Sequence, residues 1–207
     1  MSDFFYLVLN MQKIGVTGSI GSGKSLVCNI FKQLGIPIYN ADDRAKILMI
    51  THDEIISTVK RLFGRESYFT DGSLNRAHIS SIAFNNKTLL TELNKTVHPT
   101  VFADFDNWVL DQKKLGVPYI IKEAALMFET DSYKSLEKYI VVTAPLQLRI
   151  ERTMHRDNIT QEQVQARMNN QFTQEEKLAK ANFEIVNDDK HSLIEQVVNV
   201  NKVLLNP

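Results

Sequence analysis

Apolar residues fall along this chain in two patterns. Short runs bounded by turn residues occur at 14–17, 36–39, 119–121, 139–143 and 183–186. They are too short for helices and rich in β-branched and aromatic residues, so they predict strands, of which the runs at 14–17, 119–121 and 139–143 read as buried. Longer stretches at 25–34, 44–66, 75–108 and 192–205 carry a helical pattern. Thr160-x-x-Gln163 and Thr173-x-x-Glu176 are capping-box pairs that predict two further helices starting near 161 and 174. Strands alternating with helices predict an α/β fold built on a parallel sheet.

One interval breaks that alternation. Between the second and third strands stand some sixty residues of mostly helical pattern, more than one crossover needs. It reads as an inserted substrate-binding subdomain. Phe84, Leu89, Leu90, Leu93, Val97, Val101, Phe102 and Phe105 are its apolar positions, and His98-Pro99 predicts a kink or a fresh helix start. The expected division is a core of residues 11–43, 116–148 and 181–207, an insert of 44–115 and a lid of 149–180.

Composition contributes exclusions. The 43% apolar and 23% charged residues exclude the disordered and membrane classes. Lys plus Arg and Asp plus Glu number 24 each, so no overall field favours nucleic acid and any anion site must be local. No apolar run is long enough to cross a bilayer. Residues 4–9 are apolar but lack a basic region and a cleavage site, so no signal peptide is expected. The single cysteine, Cys28, excludes an intrachain disulfide and fits a reducing cytoplasm, the expected location. Oligomeric state is not legible.

The chemistry begins after the first strand. Gly18-Ser19-Ile20-Gly21-Ser22-Gly23-Lys24-Ser25 fits G-x-x-x-x-G-K-[ST] at every fixed position, between a predicted strand and a predicted helix. Glycines let successive N–H groups turn inward around phosphate oxygens, and the helix behind offers its N-terminus to the same anion. Lys24 supplies a point charge for the β- and γ-phosphates, and the Ser25 hydroxyl is placed to ligate Mg²⁺. The stretch binds a nucleotide polyphosphate.

Acids and arginines supply the other candidates. Asn40-Ala41-Asp42-Asp43 ends the second strand, where ligands of open α/β sheets sit; one aspartate is expected to cap a helix and the other to face substrate. Glu123 ends the third strand, where a Mg²⁺ ligand would stand. Arg149, Arg152 and Arg156 share one helix face, as a lid over phosphates requires. The nearest guanine-reader string, Asn94-Lys95-Thr96-Val97, lacks the acid, which disfavours a GTPase, and Lys122-Glu123 is a poor match to the Asp-Glu of a motor ATPase. A small kinase needs a loop, a base, an acceptor pocket and an arginine lid, and each has a candidate. Another small-molecule kinase and a non-catalytic nucleotide-binding module stay open on this reading.

Beyond the loop, Tyr39-Asn40-Ala41-Asp42, Leu74-Asn75-Arg76, His98-Pro99, Leu126-Met127-Phe128-Glu129, Arg152-Thr153-Met154-His155-Arg156-Asp157 and Gln171 follow in order. Together these blocks resemble the dephospho-coenzyme A kinase family, across residues 12–190. The resemblance implies a P-loop NTPase fold: three α/β/α layers, a parallel five-stranded sheet, a helical substrate-binding insert and a helical lid. It implies transfer of the ATP γ-phosphate to the ribose 3′-hydroxyl of dephospho-coenzyme A, with Mg²⁺. Gly18, Gly21, Ser22, Gly23, Lys24, Ser25 and Leu26 would bind ATP. Asp42 would activate the hydroxyl, Arg76 and His98 would hold the acceptor, and Arg152 and Arg156 would close over ATP. Ser25 and Glu123 would hold the metal.

The chain departs from the family pattern at four places. Asn40 replaces the first acid of D-A-D, Leu26 stands where threonine is common, Glu123 and Ala125 stand in place of D-x-P, and Arg149 falls where glutamine is frequent.

Overall fold

The structure is a computed structural model and describes residues 11–84 and 86–206. The expectation for the first ten residues lies outside them. Five strands form one all-parallel sheet in the order β2-β3-β1-β4-β5. They are β1 (Gln12–Thr17), β2 (Ile38–Asn40), β3 (Tyr119–Glu123), β4 (Lys138–Thr143) and β5 (Phe183–Val186). All five residues of β3 are buried, including Lys122 and Glu123. The helices are α1 (Lys24–Gln33), α2 (Ala41–Thr51), α3 (Asp53–Phe63), α4 (Arg76–Phe84) and α5 (Lys87–Lys114), then α6 (Leu146–Asp157), α7 (Gln161–Met168), α8 (Gln174–Leu178) and α9 (Leu193–Leu205).

Period-two alternation sorts the strand residues between the two faces of the sheet. Ile14 and Val16 of β1 join Ile121, Ile140, Val142 and Ile185 in a cluster closed by Val27, Cys28 and Phe31 of α1 and Val197, Val200 and Leu204 of α9. Gly15 points to the opposite face, where a Cβ would meet the side chains of Met127 and Leu136. A sheet covered on both faces needs no polar stripe, which is why its strands read as plain apolar runs.

The chain divides into two compact units, one of residues 1–40 and 109–207, the other of Ala41–Trp108. Residues 149–180 fall within the first unit. Among its described residues the second is helical apart from connecting turns and the stretch 64–75, where Tyr68 and Leu74 form an isolated antiparallel bridge. Its core takes Leu48 from α2, Ile55, Val59 and Phe63 from α3, Ile79 and Ala83 from α4, and Leu93, Val97, Val101 and Phe105 from α5. Arg44 clasps Asp104 with two hydrogen bonds of 2.9 and 2.5 Å, tying α2 to α5.

Two local expectations are corrected. Helix α5 neither ends nor restarts at Pro99 but runs through it. Its buried residues at 93, 97, 101 and 105 form one stripe, while Pro99 is exposed. The carbonyl deprived of its backbone donor therefore lies on the solvent side, and burial of the stripe outweighs the lost bond. Helix α2 starts at Ala41, not Arg44, so Asp42 and Asp43 occupy its first turn instead of capping it. There they complement the helix dipole. Both capping boxes are present, with Thr160 accepting from Gln163 N–H and Thr173 from Glu176 N–H.

Candidate active site

The loop between β1 and α1 is held from three sides. Gly21 has φ +76° and Gly23 φ +93°, values an L side chain rarely adopts. Space excludes side chains there as well: a Cβ on Gly21 would strike the Arg149 carbonyl of α6, and one on Gly23 would strike the Asn187 side-chain amide. That amide donates to the Ser22 carbonyl at 2.8 Å, and Ser22 N–H donates to the Ser19 carbonyl at 3.1 Å. Helix α1 starts on Gly23 with no side-chain cap and no acid in its first turn, as an anion site requires. The hydroxyls of Ser19 and Ser22 are buried without a hydrogen-bond partner among the described residues. Lys24 folds its Nζ back onto the Gly18 carbonyl at 3.0 Å, which keeps the cation over the loop.

Sheet register then assembles an acid beside the loop. Val16 of β1 lies opposite Glu123 of β3, and Glu123 lies opposite Asn40 of β2. The carboxyl ends of three adjacent strands therefore meet next to Ser25, at the first turn of α1. Ser25 donates its hydroxyl to one Glu123 oxygen at 2.8 Å, and the Asn40 amide donates to the other at 3.0 Å. Glu123 is 5% exposed. Asn40, the departure from the family's acid, thus serves the carboxylate as a donor, where an aspartate would have set a second negative charge against it. Behind Ser25, burial pushes the Cys28 thiol well above its ordinary range; the charge of Glu123 and a hydrogen bond to it add to this, while Lys24 opposes. That thiol is inert packing.

The hydroxyl and carboxylate oxygens of Ser25 and Glu123 form the hard, all-oxygen donor set that Mg²⁺ prefers, and it usually takes only one or two protein ligands beside phosphates and water.

The arginines separate. Arg152 donates to the Asn187 carbonyl at 3.1 Å and to Asp189 at 2.6 Å, so it is seated against the turn after β5. Arg156 forks onto Asp157 at 2.8 and 3.1 Å, and Arg167 reaches the same carboxylate at 2.6 Å. The Arg156 hydrogen bond is the main cause holding Asp157 below the usual carboxylate range. Arg149 sends Nε to the Ala144 carbonyl at 3.1 Å, and partial burial depresses its pKa. Leu26, the other departure in the loop, is 51% exposed.

The acceptor candidates lie in the helical unit, each on its own helix. Asp42 is exposed in the first turn of α2, and Arg76 is exposed as the first residue of α4. His98 is half-buried in α5 against Phe102, with ring centroids 6.4 Å apart. Burial lowers its pKa from the ordinary 6.5.

Sequence reasoning missed several residues of this region. Asn187 directly follows β5 and braces the loop, a position an asparagine at a strand's carboxyl end could have signalled. Lys177 is fully buried and pairs with Glu129 at 3.0 Å, yet it stands in a charged run that reads as solvated surface.

Known proteins resemble this chain over most of its length. The family model described as dephospho-CoA kinase matches residues 12–192. The dephospho-CoA kinase of Bacteroides fragilis is 35% identical over 186 residues, covering 90% of this chain and 89% of that protein. That of Chlorobaculum tepidum is 36% identical over 192 residues, covering 89% and 92%. Among solved structures, a Thermus thermophilus protein superimposes with a TM-score of 0.81 at 29% identity, over 95% of this chain and 98% of that one. The dephospho-CoA kinase of Campylobacter jejuni gives 0.66 at 26%, over 95% and 99%. With a family model spanning the glycine loop, the helical unit and the arginine helix alike, this chain belongs to the dephospho-CoA kinase family.

Proposed function

We propose that this protein transfers the γ-phosphate of ATP to the ribose 3′-hydroxyl of dephospho-coenzyme A, giving coenzyme A and ADP. The observation that carries the reading is the glycine loop with Ser25 and Glu123 joined beside it at 2.8 Å. Phosphoryl transfer asks the protein for positioning and charge neutralisation more than for covalent chemistry. Loop N–H groups and Lys24 hold the polyphosphate of ATP. Ser25 and Glu123 would hold Mg²⁺. When bound, the ion would supply charge neutralisation to the polyphosphate.

The acceptor oxygen forms its bond to the γ-phosphorus while the bond to the β-bridging oxygen breaks and ADP leaves. Asp42 takes the hydroxyl proton late in that step, since a loose transition state calls for a positioned acceptor more than a strong base. Arg76 and His98 hold the acceptor; burial lowers the His98 pKa and so favours the uncharged ring, which suits a hydrogen bond over an ion pair. Arg152 and Arg156 meet the charge on the transferred group from the helical lid. Family membership and the helical unit of Ala41–Trp108 support these roles.

The small-molecule partners are ATP and dephospho-coenzyme A, without nucleic acid or membrane, in the cytoplasm. Among the described residues no helix is long and apolar enough to cross a membrane. The test is ADP release with dephospho-coenzyme A beside AMP, nucleosides and pantothenate as acceptors. Turnover with dephospho-coenzyme A above the others is expected; equal or greater turnover with another acceptor overturns the assignment.

A further inference from the structure

A set of part-buried polar contacts beside the loop is left unused by the transfer chemistry. In the turn between α7 and α8, the side-chain carbonyl of Gln171 accepts the N–H of Ile20 at 3.0 Å. Ile20 lies inside the glycine loop, between Gly18 and Gly21. The next residue, Phe172, donates its N–H to Glu129 Oε1 at 2.8 Å. That oxygen also meets Lys177 Nζ at 3.0 Å, and Lys177 donates to the Ala125 carbonyl at 2.9 Å. Gln174 accepts Ala144 N–H at 3.2 Å. Residues 171–177 are thereby tied to the exits of β3 and β4 and to the loop itself.

Such an arrangement is costly unless position matters. Lys177 is completely buried, and burying an ammonium against a carboxylate contributes less to stability than an apolar pair would. What the pair contributes is a fixed place for a turn joining two short helices. The object placed is the Gln171 carbonyl. A glycine-rich backbone has many conformations to lose, and a nucleotide must order it on binding. One N–H tied down in advance removes part of that cost.

We propose that Gln171, seated by the Glu129–Lys177 pair, is a positioning residue that pins the phosphate loop through Ile20 before nucleotide binds. The inference rests on reading that loop as the ATP site. Gln171→Leu keeps the side chain's bulk and removes the acceptor, whereas Gln171→Glu restores an acceptor. Hydrogen exchange of the Ile20 amide reads loop order without nucleotide. Exchange should be slow in the wild type and Gln171→Glu, and fast in Gln171→Leu.

Calorimetry should show Mg·ADP binding weakened about tenfold by Gln171→Leu, the loss appearing in KM for ATP with kcat little changed. If Glu129 acts through Gln171, Glu129→Gln added to Gln171→Leu weakens binding no further. Wild-type affinity and slow Ile20 exchange in Gln171→Leu would overturn the proposal, as would fully additive losses in the double variant. Failure of the wild-type protein to bind Mg·ADP would instead overturn the reading of the loop, and this inference with it.

Discussion

Glu123 belongs to the sheet unit and Asp42 to the helical unit, and the two units treat these carboxylates differently. Glu123 sits at the end of a fully buried strand, with Ser25 on one oxygen and Asn40 on the other. Its position follows from sheet register, which the backbone ladder sets residue by residue. Asp42 is an exposed residue of a first helical turn. Ion pairs repeat the contrast: Lys177–Glu129 in the sheet unit is 0% and 12% exposed, while Arg44–Asp104 in the helical unit is 40% and 18% exposed. The sheet unit is a preorganised electrostatic cradle. The helical unit positions its candidates through helix packing, which leaves individual side chains more freedom.

If that contrast is sound, substitutions should cost most in the cradle. Lys24→Ala should lower kcat by about 10³-fold with the thermal midpoint little moved. Activity near wild type would remove the loop from the chemistry. Lys177→Met leaves Glu129 buried without its cation and should destabilise the fold by about 3 kcal/mol in denaturant titration. Asp42→Asn should lower kcat by about 10²-fold while Mg·ADP affinity, measured by calorimetry, stays the same. Unchanged turnover would reduce Asp42 to a dipole partner of α2.

In the helical unit, Arg44→Met should cost about 1 kcal/mol or less, because solvent screens a pair that exposed. A loss as large as that of Lys177→Met would erase the distinction between the units. The smallest effect is expected at His98. Its folded pKa lies below its unfolded value, so the unfolded chain binds the proton first. Stability from this residue is therefore intact above about 6.5 and falls as pH drops from there toward the folded value. The thermal midpoint of His98→Gln should decline less than the wild type's between pH 7.5 and 5.5.

What could be read in advance was local. A buried strand announces itself by its apolar run, a glycine loop by its spacing, and Thr160 and Thr173 by a partner three residues on. Pro99 misled because the cost of a proline is local, while the reward of continuing α5 is a buried stripe from Leu93 to Phe105 that only packing reveals. The first turn of α2 was misplaced for a related reason. Strand β2 ends where its ladder with β3 ends, at Asn40, and that ladder is a non-local pairing.

The sequence by itself determined the alternation of strands and helices, the phosphate-binding loop with Lys24 and Ser25, and the family. Each of these is written in residues close together in the chain or in blocks of fixed order. Only the tertiary structure decided which groups face one another: Asn40 against Glu123 through parallel register, Gln171 against Ile20 across about 150 residues of chain, and Lys177 buried against Glu129. Such pairings are contacts at large sequence separation, stabilised by burial that no local pattern records.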